Sequence, residues 1–251
     1  MTKNSTIKAM LKRKSIRKYT DQMPSDEVID TIVRAGQQAP FASQFCSLLL
    51  TRGGKDIPYE APLSFIFCVD AHKLELIMAR RGWKMITNDL FIMLLGIQDA
   101  TLVGENMVMA AETLGLGSCY IGDTPYLANK FAKDFKLPKR VFPLVELVMG
   151  YPAEDPPTRP RYPKEFFLFE NEYPQFSEEQ IDEAMKVMDE GYLAQDYYRN
   201  PDIMINLMRG KKETFDHDTY SWTEHISRKW GQWNQLPKPL HLQFEKRGFK
   251  L

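Results

Sequence analysis

Net charge is the first thing this 251-residue sequence lacks, because 33 Lys and Arg are balanced by 33 Asp and Glu. Binding to bulk nucleic acid relies on a broad positive field that displaces counterions, so that class of partner is not expected. Cysteine is scarce. Cys46, Cys68 and Cys119 are odd in number and have no CxxC spacing, which argues for reduced, mostly buried thiols and against a disulfide frame or a zinc site. The four histidines, His72, His217, His225 and His241, form no HxxxH or HExxH pair, so no metal centre is expected. A GxSxG elbow is also missing, and Cys119 lies in an apolar run that suits a structural thiol better than a nucleophile. Met1–Lys14 is polar and basic with only scattered Ile7, Met10 and Leu11. With no leading apolar run, no signal peptide and a cytoplasmic location are expected. Internal repeats and low-complexity linkers are absent too.

What is present is ordinary globular usage, 43% hydrophobic and 26% charged, compatible with one large domain or two small ones. Ser25 followed by Asp26 and Glu27 marks a helix start, and Val28, Ile29, Ile32 and Val33 supply its apolar face up to Pro40. "SLLLTR" (47–52) and "LSFIFCVD" (63–70) have strand length, separated by the loop "GGKDIPYEAP". Residues 85–117 form a long apolar stretch, yet Asn88, Asp89, Gln98, Asp99, Glu105, Asn106 and Glu112 interrupt it too often for a bilayer core. The spacing predicts a long helix buried at the centre of a fold or a dimer. "CYIGD" then reads as a short strand and turn, 125–135 as an amphipathic helix and 142–152 as a buried strand. Prolines between 152 and 163 impose an extended arm, and further helices are expected from Ser177 to about Tyr198 and around "SWTEHISRKW". The fold class is α+β or α/β, with the long helix packed on a sheet.

Chemistry is concentrated in two basic places. "LKRKSIRKY" (11–19) gathers Arg13, Lys14, Ser15 and Arg17, and the proline-rich arm carries Arg159 and Arg161. The block could be a solvated helix face, a targeting tract, a nucleic-acid arm or a socket for a small anion. Guanidinium groups make bidentate contacts to phosphate oxygens, and a serine hydroxyl adds another donor. "LGLGS" lacks the third glycine of a dinucleotide fingerprint and ends a helix rather than opening one, so it reads as a C-cap. Asp123 reads as a turn residue capping the helix that begins near Pro125.

Three blocks, "RKSIRKYTD", "AAETLGLGSCYIG" and "LPKRVFPLVELVMGYPAEDPPTRPRYP", resemble the signatures of the nitroreductase family in order and spacing, and "SWTEHI" is similar to its large NADPH-preferring branch. The resemblance implies a mixed β-sheet flanked by helices around a long central helix, in an intertwined homodimer. It implies an FMN-binding core over residues 1–175 and a helical extension over 176–251 of the same domain. Carried over residue by residue, Arg13, Lys14, Ser15, Arg17, Arg159 and Arg161 would hold the FMN phosphate or the flavin's polar edge. Tyr120, Ile121, Gly122 and Asp123 would lie along the isoalloxazine, with Asp123 then facing the ring rather than capping. Pro40, Phe41, Ala42 and Ser43 would come from the second subunit.

The activity implied is hydride transfer from NADPH or NADH through flavin N5 to a nitroaromatic, quinone or flavin acceptor, with no catalytic side chain and no metal. Departures from the family pattern are Lys14 in place of arginine, the Pro40–Phe41–Ala42 loop, and Glu146 within a buried strand, where a carboxylate needs a partner. A flavin carrier without turnover, or a nucleic-acid-binding protein using the basic block, are the readings from other classes.

Overall fold

The computed structural model describes residues 4–86, 88–208, 210–232 and 240–251. In chain order the helices are α1 (Ser5–Lys12), α2 (Asp26–Gln37), α3 (His72–Arg80), α4 (Asp89–Thr113), α5 (Ala128–Asp134), α6 (Glu178–Leu193), α7 (Trp222–Gly231) and α8 (Leu240–Lys246). The strands are β1 (Cys46–Arg52), β2 (Leu63–Asp70), β3 (Gly117–Ile121) and β4 (Val141–Gly150). The chain divides into two compact units, Met1–Pro156 with Pro237–Leu251, and Pro157–Leu236.

In the first unit the strands form one sheet in the order β1-β2-β4-β3. Every pairing between these strands is antiparallel, in place of the expected mixed sheet; the parallel element is an isolated bridge, Ser15 to Ser118. β2 is buried along its whole length, as a continuous apolar run predicts for a central strand. Leu63, Phe65 and Phe67 on one face pack with Leu147 and Met149 of β4 and with Ala100, Met107, Val108 and Ala111 of α4. α2 closes this core through Ile29 and Ile32, and Asn106 Nδ2 donates to Ala35 O at 3.1 Å.

α4 begins at an Asn88 N-cap and ends near Leu114, four residues inside the expected start; Thr87 lies outside the described residues. By length and composition α4 is apolar enough to cross a bilayer. Its Gly96, Ala100, Gly104, Val108 and Ala111 side is nevertheless buried within the protein. Leu90, Phe91, Leu94, Ile97 and Leu102 are exposed apolar residues on the same helix.

Three helices escaped the sequence reading: α1, α3 and α8. α8 and the residues after it are held to the sheet unit by buried groups. Phe249 and Phe244 pack on Phe142, and the Arg247 guanidinium donates to the carbonyls of Val141 (3.0 Å), Leu137 (3.0 Å) and Pro138. In the second unit, α6 opens on a complete capping box between Ser177 and Gln180. The arm that precedes it has no regular structure from 153 to 163, as its prolines require.

Candidate functional site

The basic block begins where α1 stops. Arg13 is the C-cap, with extended ψ and its N–H on Met10 O, so residues 14–20 leave the helix as a strand-like segment. Ser15 bridges Ser118, and Ile16 N–H donates to Ser118 O at 3.0 Å. Gly117 makes this approach possible, because a Cβ there would collide with the Ile16 side chain. The other edge of the segment is tied to the exit of β4: Thr20 N–H donates to Tyr151 O and Ala153 N–H to Lys18 O, both at 2.9 Å. Three stretches distant in sequence, residues 15–20, the start of β3 and the exit of β4, are thus fastened together.

Acidic groups set the local field. Glu154 Oε1 accepts from the N–H groups of Arg17 (2.5 Å) and Lys18 (3.1 Å), and Asp155 pairs with Lys14. A cavity of about 140 Å³ is lined by Lys14, Glu112, Gly115, Glu154 and Asp155. Burial raises the Glu112 carboxyl above its ordinary range, opposed by the charges of Arg13 and Lys14. The guanidinium groups at this place are those of Arg13 and Arg17, the latter 6.0 Å from the Tyr59 ring. Among the described residues, the buried side-chain oxygens without a hydrogen-bond partner are Ser118 Oγ and Glu112 Oε1. Both border this block. Such orphans are rare, and a bound group with donors and acceptors would satisfy them.

β3 delivers the predicted residues 120–123 to the same region. Tyr120 turns toward α4, where a Cβ on Gly104 would sit 2.5 Å from its hydroxyl, and burial pushes this phenol up to about 12. Cys119 and Ile121 face the other way, into a cluster with Ile57 and Val148. Gly122 and Asp123 are exposed, and a Cβ on Gly122 would meet nothing within 4 Å. Asp123 precedes a 3₁₀ turn (124–127), but its side chain makes no capping hydrogen bond. The capping expectation therefore fails; the turn is closed by the backbone, Tyr126 N–H to Asp123 O at 3.0 Å.

Pro40 to Ser43 lie in the loop between α2 and β1. Pro40 and Ala42 are exposed and Phe41 is 56% exposed. Asp99 of α4 accepts from the backbone beneath them, and the sequence reading gave it no role. Glu154 was missed as well. A charge inside an otherwise apolar helical run was the available signal for Asp99; nothing local singles out Glu154.

Arg159 and Arg161 belong to the second unit and have partners there. Arg159 Nη1 donates to Gln195 Oε1 at 2.5 Å and its guanidinium lies 4.1 Å over the Tyr197 ring. Arg161 Nη1 donates to the carbonyls of Pro160 (2.9 Å) and Arg159 (3.1 Å). Elsewhere, the buried Glu146 has the partner its position demands, Ser64 Oγ at 2.5 Å. The three cysteines are free thiols, and burial pushes Cys46 up to about 12, against a nucleophilic role.

The nitroreductase family model matches residues 10–51 and 48–151, which include the basic block, α4 and β3. The chain is 29% identical to FMN reductase (NADPH) of Bacillus subtilis over 242 residues, covering 86% of this chain and 96% of that one. It is 30% identical to the oxygen-insensitive NADPH nitroreductase of Salmonella typhimurium over 238 residues, covering 89% and 90%. Among solved structures, the NfrA1 nitroreductase of B. subtilis superposes with a TM-score of 0.80 at 27% identity, covering 98% of this chain and 99% of that chain. The family match spans more than half of the sequence, and the chain belongs to the nitroreductase family.

Proposed function

We propose that this chain is an NAD(P)H-dependent flavin oxidoreductase that holds FMN and passes electrons to a nitroaromatic, quinone or flavin acceptor. The observation that carries the reading is the Ser15–Ser118 bridge, which sets the basic block against the strand leading to Tyr120–Asp123. The donor set fits the group: two guanidinium groups and a hydroxyl suit a phosphate dianion, and Ser118 Oγ is an unmet polar atom beside them. Arg13, Ser15 and Arg17 would bind the phosphate, and Lys14 would contribute less because Asp155 neutralises it. Backbone groups of Tyr120, Ile121, Gly122 and Asp123 would line the ring system, with the unsubstituted Gly122 leaving room for it. Bound FMN supplies the hydride-transfer chemistry, so this chain's residues bind, orient and exclude water, and none is assigned as acid or base.

The active form in this reading is a homodimer, supported by the exposed apolar residues of α4, which a second copy would cover. The Pro40–Ser43 loop of one copy would then complete the pocket of the other. Residues 1–175 would form the FMN core and 176–251 its helical extension, in a cytoplasmic enzyme. The test is the visible spectrum of the purified protein, followed by anaerobic mixing with NADPH and with NADH. A yellow protein bleached by either nucleotide and reoxidised by a nitroaromatic is expected. A colourless protein that takes up no added FMN would refute the reading.

A further inference from the structure

The exposed loop between α2 and β1 is held from below by a buried charge. Asp99 is 1% exposed, and its carboxylate accepts three backbone hydrogen bonds from this loop. Ala42 N–H donates to Oδ1 at 2.6 Å, and Phe45 and Ser43 N–H donate to Oδ2 at 2.9 and 3.3 Å. Backbone dipoles rather than water thus stabilise the charge, an arrangement that stiffens a loop because each bond fixes one residue's orientation. The segment so fixed is strained. Gln44 lies between the Ser43 and Phe45 donors with φ of +55°, a left-handed conformation that side-chain-bearing residues avoid. Strain of this kind persists only where surrounding contacts over-determine it. Ala39 and Phe45 anchor the two ends of the loop in the interior, while Phe41 between them stays mostly in solvent. The loop also walls a cavity of about 350 Å³ that Asp99 lines together with Gln37, Gln44 and Lys73. The molecule therefore maintains a buried charge and a strained residue beneath a loop whose phenyl ring stays more than half exposed.

We propose that Asp99 is a positioning residue for the flavin site: it clamps the 42–45 backbone so that Pro40–Ser43 is presented, already ordered, to the pocket of a second copy. This rests on the composite site proposed above. Pre-ordering matters because a mobile loop would lose conformational freedom on each flavin-binding event, and the affinity would fall by that cost.

Asp99→Asn tests the clamp with minimal change of shape. Its amide nitrogen must face at least one of the three N–H donors, so the loop is released there. The expected result, with FMN added to dimeric protein, is a Kd at least tenfold higher than wild type. The visible circular dichroism of the remaining bound flavin should change, and KM for the acceptor should rise more than kcat falls. An unchanged Kd and an unchanged flavin spectrum would overturn the proposal. Should this variant fail to fold, amide hydrogen exchange on the unmodified FMN-free protein decides the matter. Slow exchange at Ala42, Ser43 and Phe45 supports the clamp, and rapid exchange at all three overturns it. Failure of the wild-type protein to bind FMN would instead refute the flavin reading, while the exchange result would still judge the clamp.

Discussion

In the sheet-bearing unit the main core cluster is made of apolar side chains from α2, β2, α4 and β4, whereas the unit Pro157–Leu236 is held by rings and ion pairs. Tyr198 stacks on His225 at 4.5 Å, and Tyr192 packs against Tyr197, Tyr198 and Trp222. Arg228 forks onto Glu213 at 2.6 and 2.8 Å and bonds Glu224 at 2.6 Å. Asp189 receives Thr223 N–H at 2.8 Å. The first unit draws on area removed from water, which every core residue supplies in proportion. The second depends on a few directional contacts, each of which can be lost singly. A protein built this way should have one unit that resists point changes on its surface and one that is sensitive to pH and to individual polar residues.

The largest effect should come from hollowing the first unit. Phe67 is fully buried in its main cluster, and Phe67→Ala should cost ~3–5 kcal/mol. Urea denaturation followed by far-UV circular dichroism would measure it; a loss under about 1 kcal/mol would mean that the sheet is not the stability core. Next is Arg228→Met, which leaves Glu213 and Glu224 without their cation. Limited proteolysis should then cut within 157–236 while the sheet unit stays protected.

The pH dependence of the second unit follows from the same cluster. Hydrogen bonds from Arg228 pull the Glu213 carboxyl down to about 2 from its ordinary 4.5. A depressed folded-state value means its stabilising contribution is complete above pH 4.5 and is lost as pH falls from there toward 2. Proteolytic susceptibility of the second unit should rise in that window, and Glu213→Gln should flatten the response.

The arginines sharpen the comparison on the functional side. Arg17→Ala should weaken FMN binding roughly ten- to a hundred-fold, the worth of a charge-assisted hydrogen bond to phosphate of ~1.5–3 kcal/mol. Flavin fluorescence titration of the variant measures it, and an unchanged Kd would refute the phosphate role of Arg17. The smallest effect should be Ser64→Ala. It strips Glu146 of its hydrogen bond at a cost of ~1–2 kcal/mol. Burial already raises the Glu146 carboxyl, so the loss should be fullest where that group is ionised and should shrink as acid protonates it, as a melting series against pH would record.

Much of the fold was legible because its signals were local. Ser25 and Ser177 mark helix starts through bonds within three residues, and β2 is written as a mostly apolar run. The missed helices share a different property. α1, α3 and α8 run for only 8, 9 and 7 residues and bury none of them fully, too short for a periodic apolar stripe to stand out in a window of about 11–18 residues. At the site, the basic block and the 120–123 turn were legible as residue types. Their juxtaposition was legible only through the family resemblance, since the Ser15–Ser118 bridge and the Glu154 side-chain contacts join distant positions. The expected Asp123 cap failed for a related reason: capping residues are recognised by type, but whether the carboxylate turns back onto the helix is decided by the chain's path.

The return of residues 240–251 to the sheet unit has a consequence for synthesis. The carbonyls that Arg247 satisfies, and the ring that Phe249 covers, belong to the approach to β4 and to β4 itself. During translation these acceptors emerge well before their donor, with the whole of Pro157–Leu236 made in between. At about 5–20 residues per second the delay is on the order of ten seconds. Through that interval Phe142 lacks its aromatic cover and the edge near residues 137–141 lacks its guanidinium. The sheet unit therefore cannot complete its core until residues 240–251 have been made.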